Sequence, residues 1–174
     1  DIGVRARLAV RVNPDFDLKG SGMRMGGGAK AFGVDVDQVP ALVRQIVDAG
    51  ADWRGFHIFA GSQALDAASI AETQAATVAL AARLASEIGI SPPIVNIGGG
   101  LGVTYFPNDM PVDIAHVGAA LADTLAQRPA ILAATHFAME LGRYLTADFG
   151  IGGATIVDRE LGAGETFLVL DGGM

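Results

Sequence analysis

Short apolar segments alternate with amphipathic segments along the chain. Mostly apolar runs, which are typical of buried strands, occupy residues 6–12, 55–60, 93–97 and 137–141. Apolar residues with the three- and four-residue spacing of a helix face fill residues 37–49, 69–88 and 113–127. Strand–helix units of this length indicate parallel strands with right-handed crossovers, so the pattern predicts an α/β fold, either a doubly wound sheet or a barrel.

Capping residues predict where two of these helices begin and end. Asp37 is expected to cap the first helix, and Gly50 is expected to end it in a left-handed conformation. Ser69 and Glu72 have the spacing of a capping box, which predicts the start of the second helix, and Gly89 is its expected terminator.

The last part of the chain has a different pattern. Residues 150–157 and 165–170 are rich in β-forming residues, and no helix is predicted between them. A second, β-type domain is therefore expected to begin near Gly150, with residues 1–149 forming an α/β unit and residues 150–174 the start of the next. The chain opens on Asp1 and is shorter than the roughly 250 residues of a complete (β/α)8 barrel, so we expect it to be a fragment.

Composition narrows the class of protein. The 174 residues are 51% hydrophobic, which predicts a packed core, and the formal net charge of −7 argues against a general nucleic-acid binder. No apolar run reaches the length of a membrane span. Without cysteine the chain forms no disulfide or thiolate metal site, which is typical of the reducing cytoplasm, and its histidines lack metal-ligand spacing, so we expect a cytoplasmic protein without a metal.

Candidate binding groups lie at the predicted strand ends, where the functional groups of parallel α/β folds collect. The backbone N–H groups of Gly98, Gly99 and Gly100 have no Cβ atoms beside them and could surround a phosphate. Ser62 could add a hydroxyl donor and Arg143 a charge-assisted contact. The alternative is that the glycines form only a mobile turn, and the residues by themselves leave both interpretations open.

Two ionisable side chains in these strands have both a structural and a functional interpretation. Glu140 ends an apolar strand, where a carboxylate is costly unless it is paired. It could form a salt bridge with an arginine, or it could pair with a cationic ring nitrogen. His57 could be a hydrogen-bonded core residue or an imidazole stacked on a flat cofactor.

Together these segments resemble the pyridoxal-phosphate decarboxylases of the ornithine/diaminopimelate decarboxylase family, whose barrel is of the alanine-racemase type. The bacterial branch associated with exosortase and extracellular-polysaccharide gene clusters resembles the chain most. The resemblance covers most of the chain and rests on residues 11–15, 30–34, 56–63, 96–100, 140–143 and 171–173. It implies a partial (β/α)8 barrel, comprising the later strands, that continues into a C-terminal β domain.

The resemblance also implies roles for particular residues. Glu140 would keep the pyridine nitrogen protonated, and His57 would stack on the ring. Asp171 would contact the distal amine of the substrate in a head-to-tail homodimer, with Lys30 near the shared site. The residues implied to bind pyridoxal 5'-phosphate are Arg11, Ser62, Gly98, Gly99, Gly100, Glu140, Gly142 and Arg143.

The chain departs from the family pattern in two ways. Two more residues separate His57 from Ser62 than in the common His-x-Gly-Ser motif, so either a bulge absorbs them or Phe59 occupies the stacking position. The lysine that binds the cofactor is expected upstream of this chain, because neither Lys19 nor Lys30 is a credible substitute. The catalytic cysteine of the second domain is expected beyond residue 174, so the fragment alone should be inactive.

The activity implied is decarboxylation of a basic or diamino acid through an aldimine with the cofactor. A racemase on the same barrel is a competing hypothesis, but such racemases usually place an arginine at the ring nitrogen, so Glu140 favours decarboxylation. A non-catalytic regulatory homologue and a sugar-phosphate barrel enzyme with the same phosphate-binding loop are two further hypotheses. The expected partners are an amino-acid substrate and a second copy of the protein, and neither nucleic acid nor a membrane.

Overall fold

The computed structural model describes residues 3–24 and 32–172, so Lys30 lies outside the described residues. The strands in chain order are β1 (Arg7–Asn13), β2 (Met23–Arg24), β3 (Val34–Asp35), β4 (Asp52–Ile58), β5 (Gly61–Ser62), β6 (Ile94–Gly99), β7 (His136–Glu140), β8 (Ile156–Gly162) and β9 (Glu165–Leu170). The α-helices are α1 (Val39–Asp48), α2 (Ala67–Ile88), α3 (Ile114–Ala126) and α4 (Gly142–Thr146).

A sheet with the strand order β3-β1-β4-β6-β7 is the framework of the described chain. All its neighbouring pairs are parallel, which confirms the predicted strand–helix crossovers. From β1 onwards the strands stand side by side in the order in which they occur along the chain. This is the order of a barrel, because the strand order of a doubly wound sheet reverses at a switch point.

The helices cover one face of this sheet. Val10 and Val12 of β1 and Val95 of β6 are buried in a single apolar cluster with Val43 of α1 and Leu84 of α2. Because side chains alternate along a strand, the intervening positions point to the opposite face. That face carries the polar residues that the sequence marks as candidates, and in a closed barrel it is the interior.

Two of the predicted helix starts are wrong. Asp37 lies in a 3-10 turn (Val36–Gln38), and α1 is preceded by Gln38, whose side chain makes no capping hydrogen bond. Helix α2 is capped by Asp66, whose carboxylate accepts the Ser69 amide at 2.9 Å, so Ser69 is a donor and not the cap. The turn before Ser69 already contains a better acceptor, and the helix therefore begins earlier than predicted.

The predicted helix ends are confirmed. Gly50 and Gly89 follow α1 and α2 with φ of +74° and +78°, a conformation that glycine adopts without strain. No helix in the part of the chain that the structure describes combines the length and hydrophobicity needed to cross a membrane.

The end of the described chain is a hairpin. Strands β8 and β9 pair antiparallel in a two-stranded sheet of their own. The first of these strands begins at Ile156 and not at Gly150, and the short helix α4 with a following 3-10 turn (Ala147–Phe149) was not expected from the sequence. The domain boundary near Gly150 stays a prediction.

Candidate active site

A row of side chains crosses the open face of the sheet at one level. Arg11 of β1 is in register with His57 of β4, His57 with Asn96 of β6, and Asn96 with Ala138 of β7. Glu140 follows two residues further along β7, on the same face as Ala138. Parallel pairing thus places Glu140 near His57 and Asn96, although 83 and 44 residues separate them in the sequence.

Both oxygens of the Glu140 carboxylate have a partner. The side-chain amide of Asn96 donates to Oε1 at 2.9 Å, and Nε2 of His57 lies 3.2 Å from Oε2. The side chain is nevertheless 56% exposed, so it is held in position and still accessible. An ionised carboxylate has about four lone-pair sites, which leaves acceptor capacity for a ligand. Among the described residues no arginine lies within ion-pair distance, so the salt-bridge alternative is wrong for these residues.

A cavity of about 270 Å³ adjoins this carboxylate on the open face. Its walls include side chains from four strands of the sheet, namely Ala9, Arg54, His57, Ile94, Asn96 and Glu140. The volume is near the lower end of the range found for small-molecule sites. The arrangement provides a fixed carboxylate, a histidine and an amide at the wall of a small pocket.

The glycine triplet is required by the packing of neighbouring backbones. A Cβ atom on Gly98 would lie 2.7 Å from the carbonyl oxygen of Ile58, and one on Gly99 would overlap the carbonyl of Glu140. At Gly100 it would overlap the carbonyl of Gly61, and the φ of +100° there also favours glycine. These contacts argue against a merely mobile turn. The phosphate-binding role of the N–H groups stays a prediction.

Asn96 links the glycine triplet to Glu140. Its Oδ1 accepts the Gly98 amide at 2.9 Å, while its Nδ2 donates to Glu140. The turn after β6 and the carboxylate at the end of β7 are therefore held relative to one another. Sequence reasoning assigned Asn96 no role, although an asparagine two residues before a glycine is a recognisable turn signal.

Arg143 lies in α4, of which Gly142 is the first residue. Its Nη1 donates to Oε1 of Gln63 at 3.4 Å and to the Tyr105 hydroxyl at 3.2 Å. Gln63 also exchanges hydrogen bonds with the backbone of Val103, and it has a left-handed φ of +58°. Neither Gln63 nor Tyr105 was singled out from the sequence, because their contacts connect distant loops.

Ser62 is adjacent to this group. It belongs to β5, which pairs antiparallel with β2, so that Ser62 faces Met23 in the register. The next residue, Gln63, holds Arg143, and Ala64 forms a backbone bridge with Leu101, which follows the glycine triplet. The structure therefore brings the predicted phosphate ligands to one edge of the sheet.

Two residues that were predicted to belong to the site, Arg11 and Asp171, make no described contact with Glu140. The Arg11 guanidinium lies over the rings of Phe32 and Phe59, at 5.4 and 5.9 Å from their centroids, and makes no described contact with Glu140. Asp171 follows β9, and its carboxylate accepts the backbone amide of Thr155 at 2.7 Å. That hydrogen bond holds the pKa of Asp171 below its usual value. The described contacts thus do not bring Asp171 into the Glu140 cluster.

Comparison with known proteins identifies the family. A sequence profile for the pyridoxal-dependent decarboxylases, covering their pyridoxal binding domain, matches residues 2–147. The L-glutamyl-(BtrI acyl-carrier protein) decarboxylase of Niallia circulans is 32% identical over 97% of this chain. Diaminopimelate decarboxylase of Thermoplasma acidophilum is 32% identical over 87% of it. The chain spans 40% and 37% of the length of these two relatives.

The fold agrees with this match. The crystal structure of diaminopimelate decarboxylase from Helicobacter pylori, complexed with L-lysine, superposes with a TM-score of 0.72 at 24% identity, over 99% of this chain and 42% of that protein. The expected partial (β/α)8 barrel is confirmed. Taken together, the profile match and the parallel barrel strands show that the chain belongs to the pyridoxal-dependent decarboxylase family and carries part of its pyridoxal-binding domain.

Proposed function

We propose that the complete protein containing this chain uses pyridoxal 5'-phosphate to remove carbon dioxide from Cα of an amino acid. The observation that carries this proposal is the Glu140 carboxylate, which Asn96 and His57 hold at the wall of a small cavity. The relatives named above are decarboxylases, which supports the same reaction. We propose a basic or diamino acid as substrate, in line with the diaminopimelate decarboxylases among the relatives.

The residues of the site fit the cofactor at both of its ends. Glu140 is an exposed acceptor that could hold a protonated pyridine nitrogen, and Arg143, whose guanidinium is held by Gln63 next to Ser62 in the chain, could bind a phosphate. When bound, pyridoxal phosphate supplies a ring that accepts the electrons left at Cα. The chain would contribute the orientation, because Asn96 and His57 contact both carboxylate oxygens, and a carboxylate held in this way would keep a proton at the ring nitrogen.

The racemase alternative is less well supported by these contacts. A carboxylate at the ring nitrogen stabilises the protonated ring and strengthens its electron-accepting character, whereas an arginine would not. Of the chain's two lysines, Lys19 forms an exposed ion pair with Glu72 of α2, with Nζ and Oε2 at 3.6 Å, and this supports a cofactor-binding lysine elsewhere in the complete protein. The homodimer and the cytoplasmic location remain parts of the proposal.

Replacement of Glu140 by glutamine in the complete protein tests the reaction. Glutamine keeps the shape of the side chain but removes its charge, so carbon dioxide release should fall about 10²- to 10³-fold while the affinity for pyridoxal phosphate changes much less. Glu72→Gln, an exposed change of the same type on α2, should leave both quantities at the wild-type level. Unchanged carbon dioxide release by Glu140→Gln would exclude the proposed role.

A further inference from the structure

We propose that Phe59, and not His57, is the aromatic side chain that stacks on the cofactor ring, and that His57 is a positioning residue for Glu140. This inference rests on the proposed function. It concerns the open question in the sequence, where two extra residues separate His57 from Ser62. His57 of β4 and Phe59, which follows β4, are thus assigned different roles.

The contact of His57 with Glu140 places the imidazole at the edge of the cofactor position. Nε2 of His57 lies 3.2 Å from Oε2 of the carboxylate, and only 22% of the histidine side chain is exposed. A carboxylate that accepts an N–H from a pyridine ring lies close to the plane of that ring. A side chain whose ring edge hydrogen-bonds the same carboxylate therefore lies beyond the nitrogen, whereas a stacking residue must lie over the face.

The described pairing of β4 with β1 is regular at His57. Its irregularity falls opposite Leu8 and Ala9 of β1, upstream of His57. From His57 onwards the register with β1 is regular, as Arg11 pairs with His57 and Val12 with Ile58. Phe59 and Ala60 then lie between β4 and β5, and the side chain at the conventional distance from Ser62 is Phe59.

Phe59 lies beside the glycine triplet of the proposed cofactor site. It follows the last residue of β4, and its ring centroid lies 5.9 Å from the guanidinium carbon of Arg11, which pairs with His57. Its ring packs on the glycine turn, since a Cβ atom on Gly98 would be 2.9 Å from Cδ2 of Phe59. A flat group that reaches from Glu140 towards Arg143 would thus pass beside this ring.

Arg11 supports the orientation of the Phe59 ring. Its guanidinium carbon lies 5.9 Å from the centroid of that ring, within the range of a cation–π contact. The same guanidinium lies over Phe32, so Arg11 connects the two phenylalanines. This contact assigns Arg11 to positioning the aromatic platform formed by Phe32 and Phe59.

Variants of the complete protein separate the two assignments. Phe59→Leu and, as a second apolar replacement, Phe59→Met should each raise the dissociation constant for pyridoxal phosphate about two- to tenfold, because they remove the aromatic contact. The ¹⁵N chemical shift of the bound cofactor's ring nitrogen should stay at the protonated position. His57→Ala should move this shift towards the unprotonated position with a smaller change in affinity, and His57→Gln, which keeps an N–H donor, should restore it.

The opposite pattern would overturn the inference. If His57→Ala and His57→Gln both weaken binding two- to tenfold while both Phe59 variants bind as the wild type, His57 is the stacking residue. An unchanged ring-nitrogen shift in His57→Ala would also exclude the positioning role. Failure of the proposed function would look different, because the wild-type protein itself would then show no saturable binding of pyridoxal phosphate.

Discussion

Replacing Gly98 with alanine adds a single methyl group at a crowded point beneath the site. Gly98 has a φ of +73°, and the new Cβ would lie 2.7 Å from the carbonyl oxygen of Ile58 and 2.9 Å from Cδ2 of Phe59. Gly89, at the end of α2, provides a matched control. Its φ is +78°, and among the described residues no heavy atom outside its immediate neighbours lies within 4 Å of the corresponding Cβ.

The two variants share a left-handed backbone conformation and differ only in the steric clash of the new Cβ atom at residue 98. A left-handed conformation costs an L-residue about 1–2 kcal/mol, and this applies to both glycines. Extra atoms in a packed site cost about 1–3 kcal/mol more, and at Gly98 the obstructing atom belongs to the backbone, which cannot rotate away. Gly98→Ala should therefore lower the free energy of unfolding by about 2–5 kcal/mol, and Gly89→Ala by about 1–2 kcal/mol.

Urea denaturation followed by far-ultraviolet circular dichroism measures this difference. Alanine also restricts the unfolded chain, but it does so equally in both variants, so the difference between them isolates the collision. An equal loss of stability in Gly98→Ala and Gly89→Ala would refute the reasoning. The glycine triplet would then be explained by its ligand and not by the packing of strands β4, β6 and β7.

Two further substitutions test the cap of α2 and the proposed phosphate contact. Hydrogen bonds from the side chain and then the amide of Ser69 hold the pKa of Asp66 below its usual value of 3.8. This carboxylate therefore stabilises the fold above that pH, and the contribution is lost as the pH falls through the folded pKa. Asp66→Asn should therefore make the free energy of unfolding, measured by urea denaturation, depend less on pH in the acid range. An unchanged pH dependence would contradict the capping role. Arg143→Ala should weaken pyridoxal phosphate binding about 10- to 100-fold but leave the binding of pyridoxal, which has no phosphate, unchanged. Arg44→Ala on α1 is the control, and equal losses for both ligands would exclude a phosphate contact.

Local patterns were sufficient to predict much of the fold. The strands around Val10, Phe56, Val95 and Phe137 and the helices between them follow from hydrophobic periodicity, which depends on neighbouring residues alone. Helix ends at glycine were also predictable, because the left-handed conformation is a property of one residue. The predicted starts failed where several acceptors compete within a few residues, as Asp66 and Ser69 do before α2.

The sequence motifs also indicated the chemistry of the site, including Glu140 and Arg143, through their resemblance to a family. They did not show what these residues contact. His57 had two interpretations, and Asn96 and Gln63 had no assigned role. The reason is that a motif names the residues of one strand end, whereas each of these contacts joins side chains from different strands or loops.

The sequence by itself thus determined the alternation of strands and helices, the family, and the residue types available for binding, because all of these reside in short stretches of chain. Only the tertiary structure decided that Glu140 is held by His57 and Asn96, that the glycine triplet is needed by adjacent backbones, and that Phe59 lies beside Gly98. Parallel pairing brings together residues that are 44 and 83 positions apart, and the register that does so is a property of the whole sheet.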